Sequence, residues 1–390
     1  MAKGVNSIKE EEIPLIRVTE VPFMDRILLI GPPGIGKTEV IKQLAIKDAE
    51  ELGKVFVDLR EADDEVLDDI IAHPEKYYVF YRIPATHVFP EDISMPEKDV
   101  KRKLVEHLPL KVLKILSLRY KSSDGRKVGI YGCLFIDEIS NVERNDQLTM
   151  YYSILQEKEA GLELKISENI KIVGACNPPE WSKVVRELPE PLRGRVTIYN
   201  VAPPTIDEWI EYMVKNYGDN WFKLIAVYLK YNPDDFIQPP ESDWDNYPAP
   251  RNWTRLAVIL HELMKRGVPR HVLENTIIGN VGKRVGIKLW GILTLDIDLE
   301  KTVETLKRDP EYFNRLDINA RILLSDFIAK MKIEDMKQLK RFFEWLLEKE
   351  REFLVFIIML MTKEKKRQFR EAFNEVFTKL AKEIAPYILI

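Results

Sequence analysis

Cysteine is almost absent from this 390-residue chain: only Cys133 and Cys176 occur, and they form no C-x-x-C pair. That excludes a disulfide framework and suits a reducing, cytoplasmic setting. Histidine is sparse too, with five in the chain. His73, His87, His107, His261 and His271 stand at no metal-ligand spacing from the cysteines, so no zinc site is expected. Long apolar runs are missing too. The most apolar, Phe353 to Met361, falls far short of the ~20 residues that cross a bilayer. Glu350, Arg351, Glu352, Lys363 and Lys365 bracket it, and it reads as a buried or partner-facing helix. Met1 to Glu12 is rich in Lys and Glu without an apolar stretch, which argues against a secretory signal. Nor does one charge prevail: 59 Lys+Arg against 63 Asp+Glu leave a net charge of -4. That balance argues against a protein whose main work is non-specific binding to phosphate backbones.

What remains is a composition of 45% hydrophobic and 31% charged residues, that of soluble globular domains. At about 150 residues per domain, two or three units are expected. Short apolar runs at Arg26–Ile30, Lys54–Leu59, Tyr77–Ile83, Leu134–Ile136, Ile170–Ala175 and Val196–Val201 read as strands. Helical stretches separate most of them, among them Thr38–Leu52, Lys101–Leu118 and Asp146–Glu159. Such alternation predicts an α/β fold with a parallel sheet covered by helices. After Pro203-Pro204 the pattern is helical only, with stretches at Ile206–Asn216, Trp221–Tyr231, Asn252–Arg266 and Arg270–Leu293. Asp296–Ile390 continues as helices whose polar faces are dense in Lys and Glu.

The sharpest signal is Gly31-Pro32-Pro33-Gly34-Ile35-Gly36-Lys37-Thr38, a complete G-x-x-x-x-G-K-[ST] P-loop between a strand and a helix. Glycines let backbone N–H groups close on phosphates, and the helix N-terminus adds its positive dipole end. Lys37 is expected to reach the β and γ phosphates, and the Thr38 hydroxyl to ligate Mg²⁺. Downstream, Leu134-Phe135-Ile136-Asp137-Glu138 is an apolar strand ending in two carboxylates. Asp137 is expected to hold Mg²⁺, directly or through water, and Glu138 to act as general base on the attacking water. That pairing favours hydrolysis over phosphoryl transfer by a kinase. The guanine-reading [NT]-K-x-D signature is absent.

Ile172–Pro179 is a strand ending in Asn177, which the sheet geometry would place between the two motif strands. Taken alone, Asn177 is a turn residue before Pro178; beside a P-loop it can orient the lytic water. Arg193 and Arg195 precede the next strand, either as surface ion-pair formers or as a finger on a neighbouring subunit's nucleotide. Trp244, Trp253, Trp290 and Trp345 read as core or interface anchors, and Lys363–Arg367 as a solvated helix face.

In this order the motifs resemble those of AAA+ ATPases, within them the MoxR-like, dynein-related group. The resemblance runs from about Met24 to Gly282 through GPPGIGKT (31–38), LFIDEI (134–139), the 155–178 stretch, ELPEPLRGRV (187–196), DEWIEYM (207–213) and PAPRNW (248–253). It implies a nucleotide-binding core over 1–204 and a helical lid over 205–294; the helical extension over 295–390 lies outside it and carries no chemical motif. It implies ATP and Mg²⁺ as ligands. Gly31, Pro32, Pro33, Gly34, Ile35, Gly36, Lys37, Thr38, Glu39 and Asp137 would hold the nucleotide, with Thr38 and Asp137 on the metal. Asn177 would be sensor 1 and Arg251 sensor 2. Arg195 would be the arginine finger, although Val196 follows where an aromatic residue is usual, and Arg193 is a second candidate. The resemblance further implies a ring, typically hexameric, acting on a protein client such as one with a von Willebrand A domain. A DNA-associated motor is the other reading, with a hairpin near Leu162–Ile172; the charge balance counts against it. The interval between Lys37 and Asp137 is long, and Pro84–Pro96, with His87, Glu91 and Asp92, reads as a substrate-facing or pore loop. The run Phe353–Met361 suggests that the extension docks a partner or packs the ring.

Overall fold

The apolar runs upstream of Pro203 become strands because they are short, rich in Ile, Val and Phe, and cut off by Gly, Pro or Asp. The structure, a computed structural model, describes residues 15–99, 101, 104–161, 164–181, 194–240 and 245–384. The chain divides into two compact units, Met1–Pro203 and Pro204–Ile390.

The first unit is built on seven strands, β1 (Ile16–Arg17), β2 (Ile27–Ile30), β3 (Val55–Asp58), β4 (Tyr77–Pro84), β9 (Tyr131–Asp137), β12 (Ile170–Cys176) and β13 (Thr197–Ala202). Their order is β1-β13-β2-β12-β9-β4-β3, and every pairing is parallel. Three small antiparallel hairpins intervene along the chain, β5–β6 (Ser94–Asp99 and Leu104–Pro109), β7–β8 (Arg119–Lys121 and Lys127–Gly129) and β10–β11 (Glu159–Ala160 and Leu164–Lys165). Helices α1 (Lys37–Glu51), α2 (Asp64–Ala72), α3 (Pro90–Ile93), α4 (Lys111–Leu116) and α5 (Asn145–Glu157) connect the strands. Leu28, Val79, Leu134, Ile136, Ile170 and Ile172 share one apolar core with Ile154 and Leu155 of α5. Burial of such side chains contributes ~1.5–3 kcal/mol each.

The helix expected over Lys101–Leu118 is not formed. Leu104–Pro109 pairs with Ser94–Asp99 as an antiparallel hairpin, and only Lys111–Leu116 is helical. Pro109 cannot continue a helix, and cross-strand bonding satisfies the backbone on its N-terminal side. The segment beginning at Pro84 is fastened to α5. The carbonyl of Val88 accepts from Gln147 Nε2 (3.0 Å) and Tyr151 Oη (3.1 Å), and Glu91 pairs with Arg144 at 2.8 Å.

Among its described residues the second unit holds helices and no strand. Its helices are α6 (Ile206–Tyr217), α7 (Leu224–Tyr231), α8 (Pro250–Lys265), α9 (Arg270–Val281), α10 (Lys283–Leu293) and α11 (Leu299–Arg308). They continue as α12 (Ile318–Lys330), α13 (Ile333–Lys337), α14 (Lys340–Lys349), α15 (Arg351–Leu360), α16 (Lys363–Ala372) and α17 (Asn374–Ile384). Arg270–Leu293, read as one helical stretch, breaks at Gly282, whose φ of 81° a side chain would resist. One apolar cluster runs from Trp209 to Leu380, so the stretches read as lid and extension share a core. The Tyr231 and Phe353 rings stack at 5.3 Å, and Phe313 meets Phe353 edge-on at 4.9 Å. The apolar run Phe353–Met361, expected to be either a buried or a partner-facing helix, is buried within this cluster, apart from half-buried Leu360, so the first alternative holds and the run is no docking surface. Its flanking charges end the run without exposing it. Trp253 is buried and donates to the carbonyls of Asp235 and Phe236, while Trp290 and Trp345 pack against the cluster. Trp244 lies outside the described residues.

Within Lys363–Arg367, Lys366 departs from the expected solvated face: it is buried near Lys223 and Asp219. Burial lowers its ammonium pKa to about 7, the Lys223 charge adds to the shift, and Asp219 opposes it. Between that value and the ordinary 10.5, the unfolded chain binds a proton that the folded chain releases, so Lys366 makes stability rise with pH across this window. Lys366→Met is therefore expected to raise the melting temperature more at pH 6 than at pH 10. Melts at both pH values check this, and an equal change at each would contradict it.

Candidate functional site

Parallel pairing brings the carboxyl ends of β2, β12, β9 and β4 to one edge of the sheet, where α/β folds place their ligands. The register puts Ile30 opposite Cys176, Gly174 opposite Ile136, and Pro84 opposite Asp137. Asn177 therefore lies between the P-loop and Asp137, on a strand separating the two, as the sequence suggested.

The P-loop turns where its glycines permit. Gly34 and Gly36 have φ of 75° and 93°, in the left-handed region, and Gly36 is the cap of α1. Gly31 meets a different constraint: a methyl there would lie 2.5 Å from Val201 Cγ2 and 2.7 Å from the Val201 carbonyl oxygen. The first turn of α1 has N–H groups without intrahelical acceptors, at the positive end of the helix dipole.

Lys37 is buried, and its Nζ donates to the carbonyls of Gly31 (2.6 Å) and Pro32 (3.0 Å) and to Asn177 Oδ1 (3.1 Å). An ammonium has three donors, so this lysine ties the loop to the strand that bears Asn177. Thr38 Oγ1 donates to Asp137 Oδ2 at 3.1 Å, joining helix and strand carboxylate. The Glu138 N–H donates to Asp137 Oδ1 at 3.0 Å, and Glu138 itself has φ of 59°, an uncommon left-handed conformation for a side-chain-bearing residue. That turn leaves Glu138 half-buried beside the buried Asp137. Thr38 and Asp137 offer hard oxygen donors close together, a set that fits Mg²⁺.

Two participants escaped the sequence reading. Arg82 of β4 donates to Asp137 Oδ2 through Nε (3.1 Å) and Nη2 (2.8 Å). Its signal was a lone charge in the otherwise uncharged strand YYVFYRIP. Ser140 Oγ accepts from the Asn177 N–H at 3.2 Å and lies 3.4 Å from the Asn177 carbonyl, holding the end of β12. Nothing in the sequence marked it. Cys176 lies beside this pair and is no nucleophile, because burial pushes its thiol up to about 12.

Glu39 is exposed on α1 and accepts from Gln43 at 3.0 Å. Arg195 is exposed, with Nη1 2.8 Å from Gln156 Oε1 and 3.4 Å from Glu157 Oε1, both on α5. Arg193 falls outside the described residues. Arg251 belongs to the second unit, exposed in the first turn of α8.

A P-loop flanked by Asp137 and Asn177 on adjoining parallel strands defines the first unit. It is a P-loop nucleotide-binding fold. No family model and no curated protein matches the chain. Among solved structures it is similar to NtrX from Brucella abortus, with 14% identity and a TM-score of 0.29, covering 83% of this chain and 66% of that one, just under two thirds. It is also similar to a mutant of RuvB from Thermotoga maritima, with 15% identity and a TM-score of 0.25, covering 84% and 81%. At such scores the sheet order and the P-loop, not these likenesses, decide the fold. Among the described residues no helix is long and apolar enough to cross a membrane.

Proposed function

We propose that this chain is a Mg²⁺-dependent ATPase of the AAA+ class, of the MoxR-like group, working as a ring that remodels or assembles a protein partner. The observation that carries the reading is a pair of contacts at the carboxyl edge of the sheet, Lys37 with Asn177 and Thr38 with Asp137. The N–H groups of the glycine loop and α1 would cradle the phosphates, with Lys37 moving from loop carbonyls to phosphate oxygens. Thr38 and Asp137 would hold Mg²⁺, which when bound neutralises charge on the phosphate oxygens. Glu138 would take the proton of the attacking water, and Asn177 would orient that water or the γ-phosphate.

Arg195 is assigned as the finger that completes a neighbour's site. Its side chain is 59% exposed and its partner Glu157 53%. An exposed pair of this kind is worth ~0–1 kcal/mol, so little holds the arginine back from a neighbouring subunit. Arg251 is assigned as sensor 2.

The test is ATPase activity measured against protein concentration for the wild type, Lys37→Ala and Arg195→Ala. Specific activity should rise with concentration in the wild type, Lys37→Ala should be inactive, and Arg195→Ala should lose the rise. Concentration-independent turnover with Arg195→Ala unimpaired overturns the ring mechanism. Stimulation by DNA and by no protein partner turns the reading to a nucleic-acid motor.

A further inference from the structure

We propose that Arg82 is a positioning residue that competes with Mg²⁺ for Asp137, so that metal entry displaces a guanidinium from the carboxylate. The inference rests on the nucleotide-site reading above and concerns one atom, Asp137 Oδ2. Three donors converge on it: Arg82 Nη2 at 2.8 Å, Arg82 Nε at 3.1 Å and Thr38 Oγ1 at 3.1 Å. The other oxygen, Oδ1, accepts the Glu138 N–H. A carboxylate oxygen offers about two lone-pair directions, so Oδ2 has no direction left for a further ligand while the guanidinium stays.

Asp137 needs such a partner because it is buried, and a buried carboxylate without a compensating charge is costly. Arg82 supplies the charge from β4, the strand beside β9, with Ile83 buried next to it. Its own side chain is 36% exposed, so it has room to leave. A divalent cation would compensate the same carboxylate more fully, and its positive charge repels the guanidinium. Arg82 and the metal are thus alternative partners of Oδ2, and Thr38 can serve with either. Arginine is well suited here, because its fork places two N–H groups on a carboxylate and keeps its charge at all working pH.

The experiment measures Mn²⁺ binding to the full chain loaded with ADP, by the electron paramagnetic resonance signal of free Mn²⁺, in the wild type, Arg82→Gln and Arg82→Lys. Half-saturation in Arg82→Gln is expected at ~10-fold lower Mn²⁺, equivalent to ~1.4 kcal/mol of lost competition. Arg82→Lys, which keeps the charge, should stay near the wild type. In EDTA, Arg82→Gln should melt below the wild type, and Mn²⁺ with ADP should narrow that gap. A residue that merely supports the fold would lower the melting temperature without moving the Mn²⁺ midpoint. An unchanged or higher midpoint in Arg82→Gln, with the wild type binding ADP and Mn²⁺ normally, overturns this inference and leaves the nucleotide site standing. A wild type that binds no ADP, matching Lys37→Ala, overturns the nucleotide-site reading and this inference with it.

Discussion

Glu138→Gln is expected to lower ATP hydrolysis by ~10²–10⁴-fold, the range typical of removing a general base, while ATP affinity stays within a few-fold of wild type. The separation follows from the division of labour at the sheet edge. On the proposed reading, phosphate binding belongs to the glycine loop, Lys37 and the α1 N-terminus, and metal binding to Thr38 and Asp137. Glu138 touches this set through its backbone only, by the N–H that donates to Asp137 Oδ1. A glutamine keeps that bond and nearly the same volume, so the left-handed turn at φ 59°, ψ 37° is undisturbed. What is lost is the carboxylate that, on the proposed mechanism, accepts a proton from water. Phosphate release and equilibrium binding of a fluorescent ATP analogue, measured on the same preparation, separate the two effects. Undiminished turnover would remove Glu138 from the mechanism, and lost binding would show that it supports the loop instead.

A chain ending at Asp296 is expected to lose the fold of its second unit altogether. Read as sequence, the segment beyond is an additional helical extension. In the structure, Phe313, Phe342, Phe353, Phe356 and Ile357 fill the same core as Trp209, Trp221 and Trp253. The Tyr231 ring would lose its stack on Phe353, and Lys223 would lose the Met361 carbonyl that it reaches at 2.8 Å. Deleting one large buried side chain costs ~2–5 kcal/mol, against a total domain stability of ~5–15 kcal/mol. Removing several at once leaves no native state for residues 204–295. Urea unfolding followed by tryptophan fluorescence checks this. The truncated chain should lack the second unit's cooperative transition, whereas a transition of unchanged midpoint and slope would show that residues 204–295 fold alone.

Six of the seven strands of the parallel sheet were legible to within a few residues because a buried parallel strand is an apolar run between breakers, a local property; the two-residue β1 carries no such run and was missed. The P-loop and the Asp137-Glu138 pair were legible because their chemistry needs particular residue types at fixed spacing. Leu104–Pro109 was misread as helix because its pairing with Ser94–Asp99 is a relation between two segments, which periodicity within one of them cannot reveal. Lys366 was misread for a related reason: a lysine among lysines looks solvated until another helix covers it.

By itself, the sequence determined that the chain has a strand–P-loop–helix unit, a carboxylate-tipped strand downstream and an all-helical remainder, since each is written in residues close together along the chain. Only the tertiary structure decided that Arg82 shares an oxygen with Thr38, that Ser140 holds Asn177, and that the apolar run near the C-terminus is a core. These depend on which strands and helices become neighbours, and that is settled by the summed burial of the apolar surface of a whole unit, not by any one segment.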